Sequence, residues 1–221
     1  MTLEQLRSLV LSWCDDPQGT YFTQPVLDLR INLALQELQK RLISANKEYY
    51  AACLKTNTVI GQQVYALPSD FMQVIRLEWY IPGQTQSTLS TMIYPITPNQ
   101  RDLVGTVQAQ FPQLYSFAKN NIILWPIPQT VVELHLEYSY LVAPMVSASD
   151  EPDAPEYFHQ YIAVLASRDC LIQDGRPLGP IQQKLVDYET LLKQIADQRN
   201  MDTPRMVVQT QATGFDGGWN W

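Results

Sequence analysis

Two segments near the start of the chain repeat apolar residues every three or four positions, the period of a helix that buries one face. The face of the first segment consists of Leu3, Leu6, Val10 and Trp13. The face of the second consists of Leu27, Ile31, Leu35, Leu38 and Leu42. Thr2 and Gln5 fit a capping box at the start of the first helix, and Pro25 suits the first turn of the second. Turn-forming residues 15–19 separate the segments, so we predict an antiparallel pair of helices.

Between Lys55 and Tyr140 the apolar period changes to two, which is typical of strands with one buried face. Residues 56–68 predict a hairpin that turns near Gly61. The alternation is most regular in residues 75–81 and 132–140, and residues 119–121 suit a tight turn between two short strands. We therefore expect about six or seven strands in this part of the chain.

The helical period returns after Pro144. A helix that begins at Pro155 and ends near residue 174 is predicted to bury Tyr157, Tyr161, Leu165 and Ile172. The last helix repeats apolar residues in steps of four and three, a heptad seam that predicts packing along a partner helix. This seam consists of Ile181, Leu185, Tyr188, Leu192 and Ile195.

Helices at both ends and strands between them predict an α+β fold. The helical hairpins of residues 1–54 and 144–201 are expected to form one four-helix bundle. Residues 55–143 are expected to form a small β-sandwich inserted between the two hairpins. Residues 202–221 show no apolar period, and we expect them to form an extended C-terminal tail.

Residues 213–221, TGFDGGWNW, combine glycines with three large aromatic side chains. An exposed side chain of this size forgoes roughly 1.5–3 kcal/mol of burial free energy. The rings therefore either cap the protein's own core or bind another surface, and Gly217 and Gly218 favour the second interpretation. We predict that Phe215, Trp219 and Trp221 bind a partner protein or a neighbouring subunit.

Composition weighs against several classes of protein. The formal net charge of −7 at pH 7 over 221 residues disfavours binding to phosphate backbones. No apolar run approaches the roughly 18 residues of a membrane span, and the first residues lack the basic region of a signal peptide. Cys14, Cys53 and Cys170 lie far apart in the sequence. We therefore expect all three to be small buried side chains, and we expect neither a disulfide framework nor a zinc site.

Few residues suggest catalysis. His135 and His159 lie apart from any serine or cysteine motif, and we interpret both as structural. No phosphate-binding glycine motif is present. Residues 150–156 hold the densest carboxylate group, in which Asp150 and Glu156 could serve a hydrolase, although acidic residues are also favoured at the start of a helix. We expect no catalytic, cofactor or metal site, and we interpret the chain as an interaction protein.

Three segments, in this order, resemble the head-to-tail adaptor (connector) proteins of tailed bacteriophages. Residues 6–38 contain LRSLV, DDP, YFT and INLALQEL, similar to the family's opening helical hairpin. Residues 58–71, TVIGQQVYALPSDF, are similar to its next hairpin motif, and residues 149–159, SDEPDAPEYFH, to the start of its third helix. Gln24 departs from the pattern, since the family carries an acidic residue there. The motifs span most of residues 2–200.

The resemblance implies a structural virion protein with no cofactor. It implies a homo-oligomeric ring of about twelve copies, assembled in the host cytoplasm and placed in the virion neck between the portal protein and a tail or nozzle protein. Packaged DNA would pass through the ring without specific binding, which an acidic channel favours. The aromatic tail would then bind the portal or a neighbouring subunit. Another neck or tail-completion (stopper) protein and a virion-associated cell-wall hydrolase are the alternatives.

Overall fold

The computed structural model describes residues 1–81, 90–97 and 108–201. Helices lie at both ends of the described chain and strands lie between them, which confirms the mixed α+β class. The helices are α1 (Leu3–Trp13), α2 (Gln24–Ala45), α3 (His159–Gln173) and α4 (Pro180–Met201), with a 3-10 turn (Glu156–Phe158) before α3.

The two N-terminal helices begin as predicted. The Thr2 N–H donates to the Gln5 side-chain oxygen at 3.0 Å, and the Gln5 N–H donates to the Thr2 hydroxyl at 3.4 Å, which completes the capping box of α1. Pro25 lies in the first turn of α2. Between these helices the Asp16 carboxylate accepts the N–H groups of residues 20–22, so this side chain holds the turn in place.

One hydrophobic cluster contains buried side chains from all four helices. Helix α3 packs against α1, α2 and α4, and ten of its 15 residues are buried. The predicted face of this helix was therefore wrong at its ends: Tyr161 and Leu165 are fully buried, whereas Tyr157 and Ile172 are exposed. A helix surrounded by three others is buried around most of its circumference, so a single stripe does not describe it.

Helix α4 packs along its predicted seam. Ile181 and Leu192 are buried, and Leu185 and Tyr188 are half-buried against the helical cluster. The side chain of Ile195 lies outside the described part of the helix. The seam therefore holds over the described side chains, and the opposite face of α4 is left to solvent.

The described residues form ten strands, more than the six or seven expected. The longer strands are β1 (Ala51–Asn57), β3 (Phe71–Tyr80), β7 (Leu114–Ala118), β8 (Asn121–Trp125) and β10 (Glu133–Tyr140). The short strands are β2 (Val64–Ala66), β4 (Ser90–Met92), β5 (Tyr94–Pro95), β6 (Gln108–Ala109) and β9 (Ile127–Pro128). The short strands account for the difference, because two or three residues are too few to show an alternating pattern.

The strands form two four-stranded sheets, ordered β1-β10-β3-β4 and β2-β8-β7-β5, and a separate parallel pair of β6 and β9. The hairpin predicted for residues 56–68 was wrong, because β1 pairs with β10 and β2 pairs with β8. Gly61 does turn the chain, at a φ of +79°, but the turn carries it from one sheet to the other. The tight turn at residues 119–121 is confirmed by the antiparallel pairing of β7 with β8.

A second hydrophobic cluster contains side chains from both four-stranded sheets. The first sheet contributes Leu77, Trp79, Leu134, Leu136 and Tyr138. The second sheet contributes Tyr65, Tyr115, Ile122 and Leu124. The strands therefore have a core of their own beside the helical core, while the division of the chain into the predicted domain ranges stays a prediction.

Candidate functional site

The predicted partner-binding residues Phe215, Trp219 and Trp221 lie outside the described residues. The helix that leads to them is described, and it runs in the same direction as α2. Arg41 near the end of α2 donates to Glu189 at 2.9 Å, and Ala45, the last residue of α2, lines a groove together with residues 192–193. Helix α4 continues for eight residues beyond this point, about 12 Å at 1.5 Å per residue, so the tail begins beyond the C-terminal end of α2.

A charged cluster fixes the groove between α2 and α4, which has a volume of about 400 Å³. The Glu37 carboxylate accepts from Arg168 of α3 at 2.8 Å and from Arg41 at 2.6 Å. Hydrogen bonding to Arg168 lowers the pKa of Glu37, burial opposes this shift, and hydrogen bonding to Arg41 adds to it. Since Arg41 also binds Glu189, the ion pairs join α2, α3 and α4 beside the groove.

The acidic segment 150–156 supports the start of α1. The Asp150 carboxylate accepts the N–H groups of residues 146–147, both at 2.8 Å, and so holds the loop in a turn. Loop carbonyl oxygens in turn accept the N–H of Leu3 at 2.8 Å and the N–H of Glu4 at 3.1 Å. The first N–H groups of a helix have no partner within it, and this loop provides two of the missing acceptors.

These contacts favour a structural interpretation of the acidic segment over a hydrolase. The N–H groups of residues 146–147 lower the pKa of Asp150, which disfavours Asp150 as the general acid of a glycosidase, because that role needs a raised pKa. The Asp153 carboxylate accepts the Tyr140 hydroxyl at 2.8 Å, and the Asp153 carbonyl accepts the Tyr50 hydroxyl at 2.9 Å. Both tyrosines lie where the helices meet the first sheet, so Asp153 connects the two parts of the fold.

Both histidines make contacts that suit a structural role. His159 Nε2 lies 3.0 Å from the carbonyl oxygen of Ala154, and His159 Nδ1 lies 2.7 Å from the amino nitrogen of Met1. His135 Nε2 lies 3.0 Å from Glu133 Oε1. The two side chains are buried, and each ring makes at least one of these contacts, as expected for buried polar groups.

The described side chains contain no group of three or more His, Cys, Asp or Glu residues that could hold a metal ion. Within the described ranges, no helix is both long and apolar enough to cross a membrane. All three cysteines are free. Cys14 and Cys170 are buried as predicted, but the prediction was wrong for Cys53, which lies exposed on β1.

An apolar surface patch consists of Leu29, Leu33 and Val146, and we call it the helical patch. The exposed fractions of these side chains are 58%, 42% and 79%. Asn32 brings the loop of Val146 to α2, because its amide donates to the Met145 carbonyl at 3.0 Å and accepts the Met145 N–H at 2.8 Å. Sequence reasoning missed this patch, although Leu29 and Leu33 recur at a spacing of four outside the buried stripe of α2. An apolar pair at that position marks a possible contact surface.

A protein-family model described as SU10 adaptor protein matches residues 1–211. The match covers nearly the whole chain, so the chain belongs to this family of phage head-to-tail adaptors, and the resemblance found in the sequence is confirmed. The family is structural rather than catalytic, and membership implies contact with portal and tail components and a place in the virion neck. No curated protein was found to match the chain. The matched range ends before Phe215, so the predicted aromatic anchors lie beyond it.

Proposed function

We propose that this member of the SU10 adaptor family forms a ring of about twelve copies that joins the portal to the tail and continues the DNA channel. The family match over residues 1–211 carries the proposal. In this arrangement the four helices form a four-helix bundle, and the two four-stranded sheets form a β-sandwich inserted between its hairpins. The protein acts by holding its neighbours in place and needs no catalytic residue or cofactor.

We assign the contact with the portal or a neighbouring subunit to Phe215, Trp219 and Trp221. The assignment is supported by the position of α4, which is fixed to α2 by the Arg41–Glu189 ion pair and ends at Met201, beyond the C-terminal end of α2. Large aromatic side chains contribute most of the free energy at many protein interfaces. A ring presents many identical tails at once, so a modest affinity per tail becomes a strong attachment.

We assign contacts between neighbouring copies in the ring to the helical patch. Its three side chains are exposed in the isolated chain, and a second copy would remove them from water at a gain of roughly 25 cal/mol per Å² of apolar surface. The patch lies on a rigid part of the molecule, because Asn32 and the buried stripe of α2 both hold it. A rigid apolar surface of this kind suits a repeated contact between identical subunits.

The formal net charge of −7 suits a channel through which packaged DNA must move. A ring multiplies this charge by its number of copies, and like charges keep the DNA from adhering to the channel wall. DNA would therefore pass through the ring without being specifically bound.

The test is electron microscopy of the purified protein mixed with the portal protein encoded by the same genome. A parallel sample lacks residues 204–221. A ring added to the portal by the full-length chain alone would support both the adaptor role and the tail as its anchor. No added density with either protein would overturn the portal-ring role and favour a stopper or tail-completion position. A ring that forms equally well without residues 204–221 would overturn the assignment of the anchor.

A further inference from the structure

Strand β1 lies at the edge of the first sheet, and one side of its backbone faces away from that sheet. The Tyr140 N–H donates to the Tyr50 carbonyl, and the Thr58 N–H donates to the Val132 carbonyl. Along two antiparallel strands, residue pairs joined by backbone hydrogen bonds alternate with pairs that are not. The backbone N–H and C=O groups of the even-numbered residues of β1 therefore bond to β10. The N–H and C=O groups of its odd-numbered residues point outward, to the free edge.

The free edge of β1 is long and has few features that would prevent another strand from pairing with it. The outward-pointing residues are Ala51, Cys53, Lys55 and Asn57, and all four are exposed. Among the described strands only β10 pairs with β1. Edge strands are commonly protected by proline, bulges or several charges, and β1 has a single lysine. Such an edge can accept a further strand, which would bind mainly through backbone hydrogen bonds.

The C-terminal tail contains a segment suited to that edge. Residues 206–210, MVVQT, are rich in β-branched side chains and contain no glycine, proline or charged residue. Gln211, Ala212 and Thr213 extend the uncharged run to eight residues. Residues 206–210 also lie inside the range matched by the adaptor family, unlike the aromatic residues farther along.

Helix α4 ends beyond the C-terminal end of α2, the helix from which the chain passes into β1. Helix α4 runs beside α2 and continues past Ala45, and the chain of α2 itself enters β1 only six residues later, at Ala51. From Met201, the end of α4, residues 202–208 can span up to about 25 Å when extended. Met201 therefore lies past the C-terminal end of α2, from which the chain passes into β1, and the tail has this length of chain with which to reach the β1 edge.

We propose that residues 206–210 of the tail add to the free edge of β1 of the same chain as a fifth strand of the first sheet. The added strand satisfies the outward N–H and C=O groups of β1. This inference goes beyond the ring proposed above and does not depend on it.

Cys53 provides a direct test, because it is exposed and lies at an outward-facing position of β1. Single cysteines are placed at each of positions 206–210, and the full chain is oxidised with oxidised glutathione. When the two thiols join, their two electrons and two protons reduce the reagent to two molecules of glutathione. Side chains alternate along a strand, and a disulfide needs Cβ atoms about 4 Å apart, so the position directly opposite Cys53 should form an intramolecular disulfide with it at least about fivefold more than the positions on either side.

Two controls complete the trapping experiment. Cys53→Ser in each variant should abolish the product, and Asn220→Cys reports how often an unpaired part of the tail meets Cys53. Equal trapping at all five positions, or none, would overturn the proposal. A disulfide-linked dimer would also overturn it, because the edge would then take the tail of a second copy. The free protein is used throughout, so the result is independent of whether the portal binds.

Amide hydrogen exchange gives a second test without new cysteines. The N–H groups of Cys53 and Lys55 should be protected in the full chain, and deletion of residues 202–221 should reduce that protection at least about tenfold. The N–H groups of Leu54 and Thr56, which bind β10, serve as matched controls and should not change. Equal exchange of Cys53 and Lys55 in both proteins would overturn the proposal.

Discussion

Asn32 and Gln39 lie seven residues apart on α2, and each side-chain amide binds both a carbonyl and an N–H group of residues 140–145, at and just after the end of β10. Gln39 donates to the Tyr140 carbonyl at 2.5 Å and accepts the Val142 N–H at 3.2 Å. Asn32 makes the same pair of bonds with Met145, at 3.0 and 2.8 Å. Seven residues are nearly two helical turns, so both amides lie on one side of α2 and attach residues 140–145 to it.

We predict that Gln39→Leu lowers the free energy of unfolding by about 2 kcal/mol, because the substitution leaves the buried N–H of Val142 and the carbonyl of Tyr140 without their partner. Gln39 is fully buried, so water cannot replace the lost bonds. Denaturant unfolding measures the change. Gln36→Leu, at a half-buried position on the same helix, is the matched control. Equal losses in the two variants would contradict the assigned role.

The helices could be predicted from the sequence more completely than the strands, because a helix is defined by neighbours three and four residues away. The capping box of Thr2 and Gln5 is such a local pattern, and it formed as expected. Strand pairing is not local: alternation identified residues 56–68 as extended but could not show that β1 pairs with β10, some 80 residues later. Gly61 suggested the usual hairpin, and the chain instead crosses between sheets there.

The contact surfaces were harder to predict than the fold. Asn32 and Gln39 bind residues more than 100 positions away, so their polar side chains on a mostly apolar helix gave no indication of what they bind. From its composition alone, the acidic segment 150–156 could be an enzyme site or a helix start. The contacts of Asp150 and Asp153, which the sequence does not reveal, favour the structural interpretation. The aromatic anchors at residues 215–221 stay a prediction.

Asp16 should make the stability of the protein pH-dependent at low pH. Burial opposes its ionisation, but the N–H groups of residues 20–22 outweigh that effect and hold the pKa of Asp16 below its ordinary value of about 3.8. A carboxylate with a lowered folded-state pKa stabilises the fold fully above its ordinary pKa and loses this effect as the pH falls through the folded-state value. Asp16→Asn should therefore be less stable than the parent near neutral pH, and the difference should shrink below about pH 3.8.

Unfolding midpoints in denaturant, measured from about pH 7 to about pH 3, check this prediction. Asp15→Asn is the control, because it removes an adjacent exposed carboxylate and leaves the three hydrogen bonds of Asp16 in place. A difference between Asp16→Asn and the parent that stays constant down to the lowest pH would contradict the role given to the ionised Asp16.

Glu37 should couple energetically to Arg168. Glu37→Gln removes the charge that both Arg168 and Arg41 bind, and we expect a loss of about 1–2 kcal/mol in the free energy of unfolding. A double-mutant cycle with Arg168→Gln measures the pairwise part, which should be favourable. Glu48→Gln changes an exposed glutamate near the end of α2 and should have little effect. Strict additivity of Glu37→Gln and Arg168→Gln would show that the pair does not join α2 to α3.

The aromatic residues of the tail should supply the affinity for the portal or the neighbouring subunit. Replacing Phe215, Trp219 and Trp221 together by alanine should weaken binding to the portal at least about tenfold, since aromatic anchors dominate interface free energies. Asp216→Ala, within the same segment, is the matched control. Binding can be followed by sedimentation of portal complexes. Unchanged binding of the triple variant would remove these side chains from the interface.

The helical patch should control assembly of the ring without affecting the fold. Leu29 and Leu33 are exposed in the isolated chain, so Leu29→Ser with Leu33→Ser should change the free energy of unfolding by no more than about 0.5 kcal/mol per site. The same double variant should form far fewer rings on the portal, as counted by electron microscopy, because an interface between copies would lose its apolar contact. Ile172→Ser with Val186→Ser changes two equally exposed apolar side chains outside the patch and should leave ring formation intact. If both double variants assemble like the parent, the copies meet through another surface; if both fail, exposed apolar residues matter generally and the patch has no special role.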